Sequence, residues 1–178
     1  MHNRIKILPA VLSLAVPALA IASDSEKPRL DAATEQALIG ALEDEYKARA
    51  LYEKILERFG PVRPFSNIVR AEQRHIERLL PLFARYDVAV PEDTWPQRVS
   101  APATLREACA DGVTAEEENA ALYEGYLSTV QAPDVRAVFL YLRDASQDHH
   151  RPAFQRCLDR RGDGSGRGKG WSRARGAR

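Results

Sequence analysis

Between Asp87 and Ala103 lie 17 residues that include Pro91, Pro96 and Pro102 and show no helical periodicity. On each side stands a pair of long amphipathic segments, joined within the pair by a short link at 60–64 or 131–133. Short links force antiparallel hairpins. A link of this length, extended at about 3.3 Å per residue, spans over 50 Å, more than the roughly 36 Å of a 24-residue helix. The pattern predicts an all-α four-helix bundle with one long crossover between helices 2 and 3.

The helices follow from spacing. The first runs from Asp31 to Phe59, with Leu38, Leu42, Tyr52, Leu56 and Phe59 on one face, and Gly60-Pro61 ends it. The second starts near Phe65-Ser66, with Ser66 as a cap, and reaches Tyr86 through Pro81, where a kink is expected. The third covers Thr104 to Gln131, with Leu105, Ala108, Ala115, Leu122 and Tyr126 in register. The fourth opens on Pro133 and reaches Asp159, with Pro152 interrupting it. This is the topology known as ferritin-like, assigned to residues 31–159.

The ends differ from the middle. Residues 1–22 carry His2, Arg4 and Lys6, an apolar run of about 15 residues and small residues from Ala18 to Ala22. That reads as a secretory signal peptide and predicts a periplasmic or secreted protein. An uncleaved anchor is the alternative, but the run is short of the ~20 residues a membrane span needs. Residues 160–178 (RRGDGSGRGKGWSRARGAR) read as a disordered, solvated Arg/Gly-rich tail. Charges of +2 at the front and +6 in the tail, within an overall +1, leave −7 for residues 7–159. An acidic body of this kind is not a nucleic-acid surface. Binding of the tail alone to an anionic surface is the lesser reading.

Carboxylates interrupt the apolar stripes. Glu45 is seven residues from both Leu38 and Tyr52 and so shares their face. Glu72 and His75 sit between Ile68 and Leu79, Glu116 between Ala115 and Leu122, and His149 and His150 between Leu142 and Ala153. An isolated buried charge costs several kcal/mol, so these groups need partners or a cation. Di-iron bundles use one Glu from each of two helices and Glu-x-x-His from the other two. Each piece has a plainer reading. His75 could be a satisfied core histidine, Glu45 could pair with Arg49 or Arg74, and Glu116-Glu117-Glu118 could be an exposed acidic turn. The conjunction over four helices favours the metal.

EDEYKARALYE on helix 1, PFSNIVRAEQRH on helix 2, GVTAEEENAALY on helix 3 and HHRPAF on helix 4 resemble a known family. The chain is similar over about residues 35–158 to the ferritin-like family called domain of unknown function 2202, and more distantly to rubrerythrin-type proteins. The resemblance implies a carboxylate-bridged di-iron site with Glu45, Glu72, His75, Glu116 and His150 in ligand positions. It selects His150 over His149 because Phe154 follows by four. Gln147 stands where a full Glu-x-x-His would have Glu, and Asn119 where relatives often carry an acid, so one metal in place of two is an alternative. His149 or Asp148 is the candidate for the missing position, Gln147 and Asn119 for a weaker ligand or a neighbour of the ligands, and Tyr52 and Tyr123 for donors around them.

Register adds an expectation. Cys109 is seven before Glu116 and Cys157 seven after His150, on antiparallel helices, so the two cysteines should meet as a disulfide. Two buried thiols are the alternative. The levels of Glu45 and Glu72 agree less well if helices 1 and 2 simply meet at their ends. The function expected is an exported iron-binding protein whose site reacts with iron, oxygen or peroxide, with ferroxidase or peroxidase-type oxidoreductase activity and storage alone both left open. Other divalent metals and self-association stay open. The alternative is a metal-free bundle serving as an interaction or stress-protective module. Without a Cys-x-x-Cys pair, no rubredoxin-like module is expected.

Overall fold

The computed structural model describes residues 27–162. The leader at 1–22 and the tail from 163 onward lie outside the described residues. Four helices pack as a ferritin-like bundle, and the described residues contain no strand.

Helix α1 (Ala32–Phe59) starts on Asp31, whose carboxylate accepts from the Thr34 N–H and hydroxyl at 2.9 and 2.6 Å. It ends at Gly60, where φ is +78°, a conformation that suits glycine. Helix α2 (Phe65–Tyr86) follows Pro64 directly, so Ser66 lies inside the helix and is not its cap. Pro81 is accommodated within one helical span. Helix α3 (Leu105–Thr129) opens with a reciprocal capping box between Thr104 and Glu107. Helix α4 (Pro133–Asp144) continues through a π-helical turn (Ala145–His150) into α5 (Arg151–Gly162), and together they form the fourth helix. Its last three residues extend into the stretch read as tail. No described helix is long and apolar enough to cross a membrane.

Two apolar clusters mark the ends of the bundle. One joins the start of α1 and the end of α2 to the end of α3 and the start of α4, with Leu38, Leu82, Val130 and Val135 among its buried members. The other joins the end of α1 and the start of α2 to the start of α3 and to α5, with Ile55, Phe65, Ala108 and Phe154. Helix α3 therefore begins at the end where α2 began, so the crossover runs the length of the bundle. It is tied down midway: Trp95, in a short 3₁₀ turn (Trp95–Gln97), donates from Nε1 to Glu43 at 2.8 Å.

Two local departures from ideal hairpins set the site. The 60–64 link folds back along the bundle. Phe65 thus sits beside Tyr52, two turns below the end of α1, with ring centroids 5.7 Å apart. Glu72 is seven beyond Phe65 and Glu45 seven before Tyr52, so both fall at one level. The discrepancy between helices 1 and 2 disappears. In the fourth helix, buried residues recur at 142, 146, 150 and 154. Three steps of four exceed three α-helical turns by about one residue. The π turn absorbs the excess: the Arg151 N–H bonds back five residues, to the Ser146 carbonyl. Pro152, which has no N–H to donate, follows immediately.

Candidate metal centre

Five ionisable side chains meet between the two apolar clusters. Glu45 from α1, Glu72 and His75 from α2, Glu116 from α3 and His150 from the π turn are each 6% exposed or less. They form two triads, Glu45/Glu72/His75 and Glu72/Glu116/His150, with the donor atoms of each within 4.8 Å of one another. Glu72 is common to both. Its Oε2 lies 2.9 Å from His75 Nδ1 and its Oε1 3.3 Å from His150 Nδ1. His75 Nδ1 is also 3.1 Å from Glu45 Oε2, and His150 Nδ1 is 3.4 Å from Glu116 Oε2. The two imidazoles stack with centroids 5.4 Å apart.

Buried tyrosines hold the outer carboxylates. Tyr52 donates to Glu116 Oε1 at 2.8 Å and Tyr123 to Glu45 Oε1 at 2.7 Å. Burial and these carboxylates push both phenols well above their ordinary range, so they stay protonated donors. Arg49 is turned away from Glu45 to Asp93 and Gln73, and Arg74 is exposed, so neither arginine neutralises Glu45.

The charges are strongly biased. Burial pushes the Glu45 carboxyl up to about 8, against the pull of His75. Burial would raise Glu72 too, but the two histidines beside it hold it down to about 2. Burial acts to lower His75 and His150, and the flanking carboxylates overcome it, holding them up to about 9 and about 10. Burial also raises Glu116. In the metal-free protein both imidazoles are thus biased toward the protonated form, paired with the carboxylates around them.

The donor set fits cations. Carboxylate oxygen with imidazole nitrogen is the mix that iron and related divalent metals take. His150 Nδ1 is buried and makes no hydrogen bond, although two carboxylates flank it. A buried polar atom left this way is costly unless something else occupies the space between.

The remaining candidates are placed unevenly. Gln147 and His149 are exposed and do not join the triads. An α-helical register would carry Gln147 to the face of His150, but the π turn gives that place to Ser146, four residues before His150. Asp148 is exposed as well, and Glu117 and Glu118 are exposed beside the buried Glu116. Asn119 borders the site without reaching the triads. Its Oδ1 accepts from Ser146 Oγ at 2.7 Å, and its Nδ2 donates to Asp44. Asp44 and Ser146 escape a reading of the sequence. Asp44 looks like part of an exposed Glu-Asp-Glu run, and Ser146 is hidden by the π turn.

A cavity of about 50 Å³ adjoins the cluster, lined by Asp44, Glu45, Glu72, Glu116, Asn119 and Ser146 among others. Away from it, Cys109 and Cys157 form a disulfide with Cα atoms 5.8 Å apart. It joins α3 to α5 two turns from Glu116 and His150.

A crystal structure of hypothetical protein MJ0754 from Methanococcus jannaschii DSM 2661 is similar, with a TM-score of 0.68 and 23% identity over 76% of this chain and 85% of that one. At that identity the likeness shows the fold alone. No curated protein matches the chain. The motifs in the middle of α3, at Gly112–Tyr123, and at His149–Phe154 lie beyond the stretch matched by a family model. Residues 34–100, which carry α1, α2 and most of the crossover, match the family described as an uncharacterized protein domain, DUF2202, the family those helices resemble in sequence.

Proposed function

We propose that the chain binds two divalent cations, iron first among them, with Glu72 shared between Glu45/His75 on one side and Glu116/His150 on the other. One observation carries this reading: Glu72 turns one oxygen toward each buried histidine nitrogen. Bound iron would supply Lewis acidity and electrons to oxygen or peroxide, which makes a ferroxidase or peroxidase-type activity the reaction of interest. The chain's own part is to exclude water, to fix the carboxylates through Tyr52 and Tyr123, and to keep the cluster between two apolar layers. Both triads are complete without Gln147, which favours two ions over one. We also propose export to a periplasm or the exterior. The leader's composition supports that location, and the Cys109–Cys157 disulfide suits an oxidising compartment.

A metal-free bundle is the second reading. What favours it is that His75 already pairs with Glu45 and Glu72 in the apoprotein. Against it, a buried ionic cluster adds little stability over apolar packing of the same volume. Elemental analysis of protein expressed with its leader separates the two. Two irons per chain, falling to one or none in Glu72→Ala and His75→Ala, supports the metal centre. No stoichiometric metal, with those variants indistinguishable from the parent, supports the metal-free bundle.

A further inference from the structure

The cavity beside the cluster has a direction. At its rim are the exposed side chains of Lys47 and Glu118, behind them the half-buried Asp44 and Asn119, and at its floor the buried Glu45, Glu72 and Glu116. Neither His75 nor His150 lines it. The carboxylate side of the cluster therefore faces a path between α1 and α3. In the outer part of this path Asp44 and Glu118 outweigh the single Lys47, so its mouth favours cations over anions. Its volume admits a few water-sized groups and no organic substrate. Two of its floor carboxylates, Glu72 and Glu116, are the pair that flanks His150 Nδ1, the buried nitrogen without a hydrogen bond.

We propose that small divalent cations reach the buried cluster between α1 and α3, with Asp44 as the residue that draws the ion in. The inference rests on the two-cation reading above and names what that site takes up from solution. Asn119 holds Asp44 in place, and Ser146 in turn holds Asn119, so the carboxylate is anchored from α3 and the π turn. Lys47 at the rim opposes approach. The two residues should then act in opposite senses on the rate of loading.

The test is stopped-flow uptake of Co²⁺ by the full chain stripped of metal with a chelator, followed by visible absorption. For Asp44→Asn we expect the bimolecular rate to fall roughly ten-fold and to become less sensitive to salt, and for Lys47→Gln we expect it to rise. All three proteins should reach the same final absorbance. Unchanged rates in both variants would overturn the route, and so would a lower plateau in Asp44→Asn, which would make Asp44 a ligand. Should the parent protein bind no Co²⁺ at all, the two-cation reading itself fails, before the variants are compared.

Discussion

Loading the cluster must expel protons, because the imidazoles that would take the cations are held protonated by the carboxylates around them. At pH 7 His75 and His150, held up to about 9 and about 10, both carry a proton on the ring, and Glu45, raised by burial, lies 3.1 Å from the His75 ring and competes with it for that proton. Glu72, at about 2, has none to lose. Cations bind neutral imidazole and carboxylate, so filling both triads releases at least two protons per chain, one from the His150 ring and one from the His75–Glu45 pair. Glu116, also raised, can only add to this. The count should shrink as pH climbs through 8 to 10, because the groups then arrive deprotonated. Titration of the apoprotein with Zn²⁺ or Co²⁺ in weak buffer, with an indicator dye, reads the number directly. Equivalently, the logarithm of the overall constant for binding both ions should rise by about two or more per pH unit near neutrality. Release of fewer than one proton would mean that the imidazoles are not ligands, and the assignment of His75 and His150 would fall.

The same groups set the stability of the metal-free protein. His75, His150 and Glu45 all have folded pKa values above their ordinary ones, so their favourable contribution is complete below those ordinary values and fades as pH rises toward 8 to 10. Glu72 is depressed, so its contribution holds above about 4.5 and is lost as pH falls toward 2. The apoprotein should therefore melt highest in mildly acid solution, with Tm falling on both sides in a calorimetric pH series. A methyl group at Gly112 would lie 2.7 Å from the Phe154 ring, so Gly112→Ala should cost about 1–3 kcal/mol in urea denaturation despite its better helix propensity. A methyl group at Gly125 would meet nothing within 4 Å, and Gly125→Ala should stabilise by up to about 1 kcal/mol in the same assay. Breaking the disulfide, which spans 48 residues, should cost about 4 kcal/mol by chain-entropy reasoning, measured as the loss of unfolding free energy in Cys109→Ser/Cys157→Ser.

What the sequence discloses and what it hides divide along a physical line. Glu45 is legible because it stands seven residues from both Leu38 and Tyr52, and an α-helix repeats its face at that interval. Glu72 and His75 are legible for the same reason. The fourth helix is not, because the π turn changes the period. Periodicity cannot choose between His149 and His150, and it assigns Gln147 a place that Ser146 takes. On α3 the stripe through Ala115 and Leu122 misses the true centre. The buried face is Ala108, Cys109, Gly112, Glu116 and Tyr123, where a glycine, a carboxylate and a phenol read as surface. Gly112 has no side chain to count, yet its bareness is what lets Phe154 in. Asp44 is the clearest omission. It stands one residue from Glu45, about 100° around the helix, and only contact with Asn119 on α3 makes it part of the site.

The two hairpins solve one geometric problem in two ways. A buried cluster requires donors from four helices at one level, within an ångström or so, although helix ends and loops vary by more than that. In the first hairpin Tyr52 and Phe65 fix the level, and Glu45 and Glu72 each lie seven residues from that contact, toward the middle of the bundle. In the second, Cys109 and Cys157 fix it, and Glu116 and His150 again lie seven residues away. Phe154 ties the two pins together, its ring 5.3 Å from that of Tyr52 and 5.1 Å from that of Phe65. Sliding one helix by a single residue would move its donor by about 1.5 Å and turn it by about 100°, enough to break a triad. The aromatic contact and the disulfide, two turns from the donors, and the ring seated over Gly112, one turn from them, oppose that slide. An apolar core alone tolerates repacking of this size far more readily than a set of donors converging on one point does.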